Sequence, residues 1–196
     1  MSDVFRFYFT SRQGANKKVV FNETMVESNS QLADKVRVTE VPLAQSEFGL
    51  ICRAFRQIYK HHRKRVKAGL EKSPWVMVSP DNSFVLTENL RFYVAPMNSS
   101  APHYIGHAMK FWGAVYNWAQ AGYAISWAAL EALSRKFPTD TQCDAGGKFW
   151  KNGDWYLGKH LATLGIKPID TRDHIGKKHC IRLRSHLPFL MTKSFF

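Results

Sequence analysis

The hydrophobic period of this chain changes abruptly at residues 73–75. Over residues 43–72 the apolar positions Phe48, Ile51, Cys52, Phe55, Ile58 and Tyr59 recur at three- and four-residue spacing, which predicts one face of an amphipathic helix with Cys52 in the core. Ser73-Pro74 ends that pattern, because a residue before proline is pushed out of the helical region. Trp75 to Val78 is then a continuous apolar run, of the kind a buried central strand shows. Such alternation continues along the chain. Residues 4–10 alternate and carry aromatics, and 18–21 and 36–41 are strand-like. A turn at 80–83 precedes a short helix at 87–94, with Thr87 as a candidate cap. Strands are expected at 103–109, 122–125 and 166–169, and helices at 126–137 behind the N-cap Ser126 and at 154–164 behind Asp154. Helices alternating with buried strands predict an α/β domain with a mainly parallel sheet, and ligands in such sheets sit at the carboxyl ends of strands, here residues 79–83.

The 196 residues fit one domain, since single cores stop growing only above roughly 250 residues. No internal repeat or linker divides residues 1–196. A composition of 45% apolar and 22% charged residues excludes a disordered tail, a collagen and a coiled coil. Neither an apolar run long enough for a membrane span nor a signal-peptide layout is visible. The net charge of +13 attracts polyanions generally, so it names a partner class and not a function. Cys52, Cys143 and Cys180 show no metal spacing, and an odd count allows at most one internal disulfide. The triplets Asn22-Glu23-Thr24 and Asn98-Ser99-Ser100 are glycosylation sequons that matter only in a secretory compartment.

The run His61-His62-Arg63-Lys64-Arg65 with Lys67 reads as a solvated helix end that suits the helix dipole, rather than as a nucleic-acid patch. Lys177-Lys178-His179 with Arg182 and Arg184 reads equally as a diphosphate-binding stretch or as wet surface. Asp81 follows an apolar strand where a metal-phosphate carboxylate is useful, and Asp81-Asn82 is also an ordinary turn pair. Asp154 is either a general base for an attacking hydroxyl or a helix N-cap, with the cap favoured by the local pattern. Gly146-Gly147 is too short for a phosphate loop. Trp112, Trp118, Trp127, Trp150 and Trp155 crowd the second half, mostly as core or rim, although sugars stack on such rings.

Taken together, the ordered motifs resemble the core-1 β-1,3-galactosyltransferase branch of glycosyltransferase family 31. SPWVMVSPDNSFVLTENLRFYV is similar to the segment carrying that family's acidic metal triplet and E-N-L-R helix. HYIGHAMK is similar to its I-Y-F-G-H/R strand, and AGYAISWAALEAL to its G-G-A-G-Y-V-L-S-x-x-A-L turn and helix. GDWYLGKHLATLGI is similar to E-D-x-x-L-G-x-C-L-x-x-x-G-V, DTRDHIGKKH to D-S-R-D-x-x-G-x-x-R, and AFRQIYKHH to an upstream A-F-x-Y-x-x-x-H helix. The six stand in family order over about residues 4–189.

The resemblance implies a GT-A-like fold, incomplete here, with a mixed, mainly parallel sheet flanked by helices. It implies an ER or Golgi lumenal setting, in a family of type II membrane proteins. The implied reaction transfers galactose from UDP-galactose to O3 of GalNAc on Ser or Thr of a glycoprotein, with inversion and Mn2+. Asp154 matches the second carboxylate of the E-D pair, the expected catalytic base, with Gly153 in place of its first member. Asp81 matches the middle of the metal triplet, where Asn82 and Pro80 replace the outer carboxylates. Gly122 and Tyr123, with Ser126, match the G-Y-x-x-S turn, and Asp170, Arg172 and Asp173 match D-S-R-D, the expected nucleotide and substrate side. Cys143 matches a family cysteine whose partner position is His160. Beside the family the chain is expected to be a central piece with both ends missing. The Pro-Asp-Asn triplet leaves a second reading, a non-catalytic relative that binds or helps fold another galactosyltransferase chain, and CDAGGKFWKNGD is similar to a segment of the synthase's chaperone. Nucleic acid is not expected as a partner.

Overall fold

The structure is a computed structural model that describes residues 7–9, 36–38, 44–69, 74–79, 83–85, 87–147, 152–172, 181–183 and 193–195. Strands β1 (Phe7–Phe9) and β2 (Val36–Val38) precede helix α1 (Glu47–Lys67), then β3 (Trp75–Ser79), β4 (Ser83–Val85) and helix α2 (Thr87–Val94). There follow β5 (Tyr104–Gly106), the hairpin of β6 (Ala108–Phe111) and β7 (Ala114–Asn117), a 3-10 turn (Ala119–Ala121) and β8 (Tyr123–Ser126). Helices α3 (Trp127–Lys136), α4 (Asp140–Ala145) and α5 (Gly153–Ala162) lead to β9 (Pro168–Asp170), β10 (Ile181–Leu183) and β11 (Lys193–Phe195). The expected strand at 18–21 and the turn at 80–82 lie outside the described residues.

One mixed sheet has the order β2-β1-β11-β3-β8-β5-β9. Its interior pairings are antiparallel, and only the outermost pairs, β1 with β2 and β5 with β9, are parallel. The expectation of a mainly parallel sheet is therefore corrected. It came from the unbroken apolar runs, and those runs report burial on two faces rather than strand direction. In β3, Val76 and Val78 face one hydrophobic cluster while Trp75 and Met77 face another. In β8, Tyr123 and Ile125 face the first and Ala124 the second. The first cluster holds Phe48, Cys52, Phe55 and Ile58 of α1, Leu130 and Leu133 of α3, and Leu157 and Leu161 of α5. The second is closed by Leu90, Tyr93 and Val94 of α2. Covered on both sides, an antiparallel strand has no polar face to display.

Ser46 starts α1 by accepting a hydrogen bond from Gly49 N at 3.0 Å, and the chain leaves the helix through Ala68 and Gly69. The helix is thus shorter at both ends than its apolar period suggests, because the cap and not the period sets the boundary. Ser126 caps α3 as expected, accepting from Ala129 N at 3.3 Å. Cys52 is buried, as predicted, and also forms a disulfide with Cys143 of α4, 91 positions along the chain, with Cα atoms 5.6 Å apart. Arg53 pairs with Asp144, and Arg56 with Asp140 and the carbonyl of Pro138, so the same helix face that bears the disulfide holds α4 by charge as well. His160 does not pair with Cys143. Its ring lies 4.6 Å from that of Phe48 and contacts the carbonyl of Gly146 at 2.8 Å.

Candidate functional site

Strands β3, β5 and β9 end on one side of the sheet, and β8, antiparallel to β3 and β5, begins there. The register aligns Val78 with Tyr123, Tyr123 with Gly106, and Gly106 with Asp170. Tyr123 and Asp170, drawn from motifs 47 positions apart in sequence, thus stand in one row with only the bare Gly106 between them. A side chain at 106 would collide with Asn117 and Tyr123, both 3.0 Å from an added Cβ. Gly122 enters β8 at φ 72° and ψ 159°, a conformation essentially reserved for glycine.

Asp154 reaches the same end from the first turn of α5. It is not the N-cap, a position held by Asn152, so the capping expectation is corrected. Its Oδ2 accepts a hydrogen bond from Ala119 N at 3.0 Å and its Oδ1 from Trp155 N at 2.8 Å. The carboxylate therefore ties the start of α5 to the 3-10 turn that feeds Gly122. Each oxygen retains a lone pair for a further proton donor. Gly153 is fixed by packing against α1, where an added Cβ would lie 2.6 Å from Ile51 and 3.0 Å from the backbone of Glu47. Its N–H donates to Glu47 Oε2 at 3.2 Å.

Burial first, and the charge of Asp154 second, push the Tyr123 hydroxyl well above its ordinary range. Tyr116 is raised by the same two causes, and Tyr104, fully buried, is raised chiefly by burial. All three are neutral phenols at physiological pH. Tyr104 exchanges hydrogen bonds with the Asn117 backbone, and Asn117 Nδ2 donates to Tyr104 O at 3.2 Å. The Tyr123 hydroxyl and Asn117 Oδ1 are buried without a hydrogen-bond partner among the described residues. Sequence reasoning missed Asn117, since one Asn at the end of a short strand carries no periodic signal.

At the β9 end, Arg172 Nε donates to both carboxylate oxygens of Asp170, at 3.0 and 2.9 Å, and its guanidinium also reaches Ala108 O at 3.3 Å. These hydrogen bonds from Arg172 are the main reason the Asp170 carboxyl is held below its usual range, and His107 contributes in the same direction. Beside this end projects the β6–β7 hairpin, whose tip Trp112-Gly113 has φ 44° and 72°. Trp112 is 71% and Phe111 44% exposed, with near-parallel rings whose centroids are 6.2 Å apart. Trp155 Nε1 donates to Phe111 O at 3.0 Å, which joins the hairpin to the residue following Asp154.

The structure thus brings Gly122, Tyr123, Asp154, Asp170 and Arg172 to one end of the sheet. Asp81, Asn82, Asp173, Cys180, Trp150 and the basic residues 177–179 and 184 lie outside the described residues. No three His, Cys, Asp or Glu side chains converge as a metal site among the described residues, and Asp170 faces two cationic or ionisable groups, a poor setting for a cation. The described residues alone do not fit a manganese ion. Fold and site together define a three-layer α/β protein with a polar, aromatic-flanked site at one end of a mixed sheet. A scan against known protein families finds no model that matches the chain.

Proposed function

We propose that the chain is a divergent relative of the core-1 β-1,3-galactosyltransferases, built on a GT-A-like domain and transferring galactose from UDP-galactose to O3 of GalNAc on glycoprotein Ser or Thr. The observation that carries this reading is the convergence of Asp154 with the Gly122-Tyr123 turn and the Asp170-Arg172 pair, three sequence-remote motifs of the resemblance meeting at one sheet end. In that reaction Asp154 accepts the proton of the acceptor hydroxyl while its oxygen attacks the anomeric carbon. The bond to the diphosphate breaks on the opposite face, its electrons leave with UDP, and the configuration inverts. Arg172 supplies a guanidinium for the diphosphate. The exposed rings of Phe111 and Trp112 offer a stacking surface for the acceptor sugar. In family members Mn2+ supports the departing diphosphate; here its ligands would be Asp81 and Asn82, and no step above depends on it.

A lumenal setting agrees with the Cys52–Cys143 disulfide, a bond characteristic of oxidising compartments. Asn98 of the second sequon is exposed, so expression in a secretory host should add a glycan there that Asn98→Gln removes. No helix among the described residues is long and apolar enough to cross a membrane.

Assay of the purified chain with UDP-galactose, Mn2+ and a GalNAc-peptide tests the catalytic reading. Asp154→Asn keeps an oxygen for Ala119 N–H but removes the base, so turnover should fall by about 10²- to 10⁴-fold. Undiminished transfer by this variant refutes the assignment of Asp154. The Pro80-Asp81-Asn82 triplet favours a second reading, a non-catalytic partner of an active galactosyltransferase. Its signature is absent transfer by the wild type combined with a raised soluble yield of a co-expressed transferase.

A further inference from the structure

On the helical face away from the sheet end, α1 and α3 leave an open groove of about 670 Å³ lined by Arg56, Tyr59, Lys60, Arg63, Val66, Lys67, and by residues of α3 and the chain just after it. We propose that this groove binds a small organic anion, a phosphate or sulfate ester whose charged head meets Lys60, Arg63 and Lys67 and whose ring lies on the apolar floor.

Lys60, Arg63 and Lys67 recur at i, i+3 and i+7, which places three cations on one stripe of α1 where they repel one another. Ion pairs do occupy the other cations of the groove. Arg56 is taken by Asp140, and Arg135 by Glu131 at 2.9 Å. Glu131, the one lining carboxylate among the described residues, is shared with the hydroxyl of Tyr59 at 2.9 Å. None of the three stripe cations meets a carboxylate among the described residues. The helix C-terminus offsets part of their repulsion, and a bound anion would offset more of it.

The floor sets the size and nature of the body. Tyr59 and Trp127 stack with centroids 5.1 Å apart and 28° between planes, and Arg63 lies over Tyr59 with its guanidinium carbon 5.7 Å from the ring centre. Tyr59 stacks on Trp127 and carries Arg63, and the space beside them has room for one ring rather than for a run of stacked bases. What remains is an apolar trough of ligand size, bounded by Val66 and Pro138, with a cationic rim. Ser134 also lines the groove, but its Oγ is shut off from solvent and offers the ligand no contact.

The experiment titrates the full chain with 1-naphthyl phosphate, followed by calorimetry, with inorganic phosphate and 1-naphthol as probes lacking body or head. Saturable binding is expected, at least tenfold tighter than either partial probe. Lys60→Gln/Arg63→Gln, both exposed positions, should weaken it at least tenfold. Lys110→Gln/Lys167→Gln, an equal charge change elsewhere on the surface, should change it less than twofold. Equal losses in the two charge variants, inorganic phosphate binding as tightly as the ester, or binding confined to long polyanions such as a 20-mer polyuridylate would each overturn the proposal.

Discussion

Trp112 is the non-glycine residue with positive φ among the described positions, and it occupies the first place of a two-residue hairpin turn with both central φ angles positive. Such turns favour Asn, Asp or Gly there, because a side chain with Cβ crowds the backbone. A bulky indole held in that conformation costs about 1–2 kcal/mol, and its ring is largely in water. Trp112→Gly should accordingly stabilise the fold by about 1 kcal/mol in urea denaturation while raising KM for a GalNAc-peptide, with kcat little changed. Loss of both stability and activity would show instead that the ring packs. His160 supplies a pH-dependent counterpart. Burial, its largest influence, lowers its pKa below the ordinary 6.5, with Lys136 and Lys159 acting the same way against the opposing contact with Gly146. As pH falls through 6.5 the unfolded chain takes up a proton that the folded chain refuses, so stability is full above that value and declines below it. The drop in urea midpoint between pH 7.5 and 5.5 should be smaller for His160→Gln than for the wild type.

At the scale of elements, α5 is seated on β7 by Gly158. A Cβ added there would lie 2.3 Å from Tyr116 Cβ and 2.8 Å from its Cα, so neither rotamer change nor side-chain movement relieves the clash. Gly158→Ala gains about 1 kcal/mol of helix propensity, yet it must lift the helix off the strand, an overpacking that costs about 1–3 kcal/mol. The net effect should be destabilising. Because Asp154 is four residues upstream on the same helix, activity should fall further than stability predicts, and both are read from one purified variant. Element identity was legible in sequence where period and cap agreed, as at Ser126 and the helix behind it. It was less legible where a strand was broken: the expected strand at 103–109 divides at His107 into β5 and the hairpin strand β6. Nothing in YIGHAMKF marks that break, since it is set by β5 joining the main sheet and β6 pairing with β7.

At the scale of the whole molecule, the long-range links were the least legible. Periodicity placed Cys52 in the core, but a pairing partner 91 positions away leaves no trace in local spacing. The convergence of Tyr123, Gly106 and Asp170 likewise follows from strand register, which sequence pattern does not encode across such distances. In a chain-entropy account, closing a loop of that length stabilises by about 4–5 kcal/mol. For a domain of this size, about 2–4 °C accompanies each kcal/mol, so Cys52→Ala/Cys143→Ala should lower the melting temperature by roughly 10 °C or more. The two links beside the disulfide bear on what the reduced protein looks like. Arg53 and Asp144 have side chains only 10% and 15% exposed, and breaking such a pair strands a buried charge, at a cost of about 3–5 kcal/mol. Loss of the disulfide alone leaves that pair intact. α4 should then remain docked in the doubly substituted protein, with unchanged far-ultraviolet circular dichroism at 25 °C. Asp144→Ala added to it should release α4, and protease cleavage within residues 138–147 is the measurement that separates the two states. Cleavage there in the disulfide-free protein before Asp144 is removed would mean that the covalent link alone holds the helix.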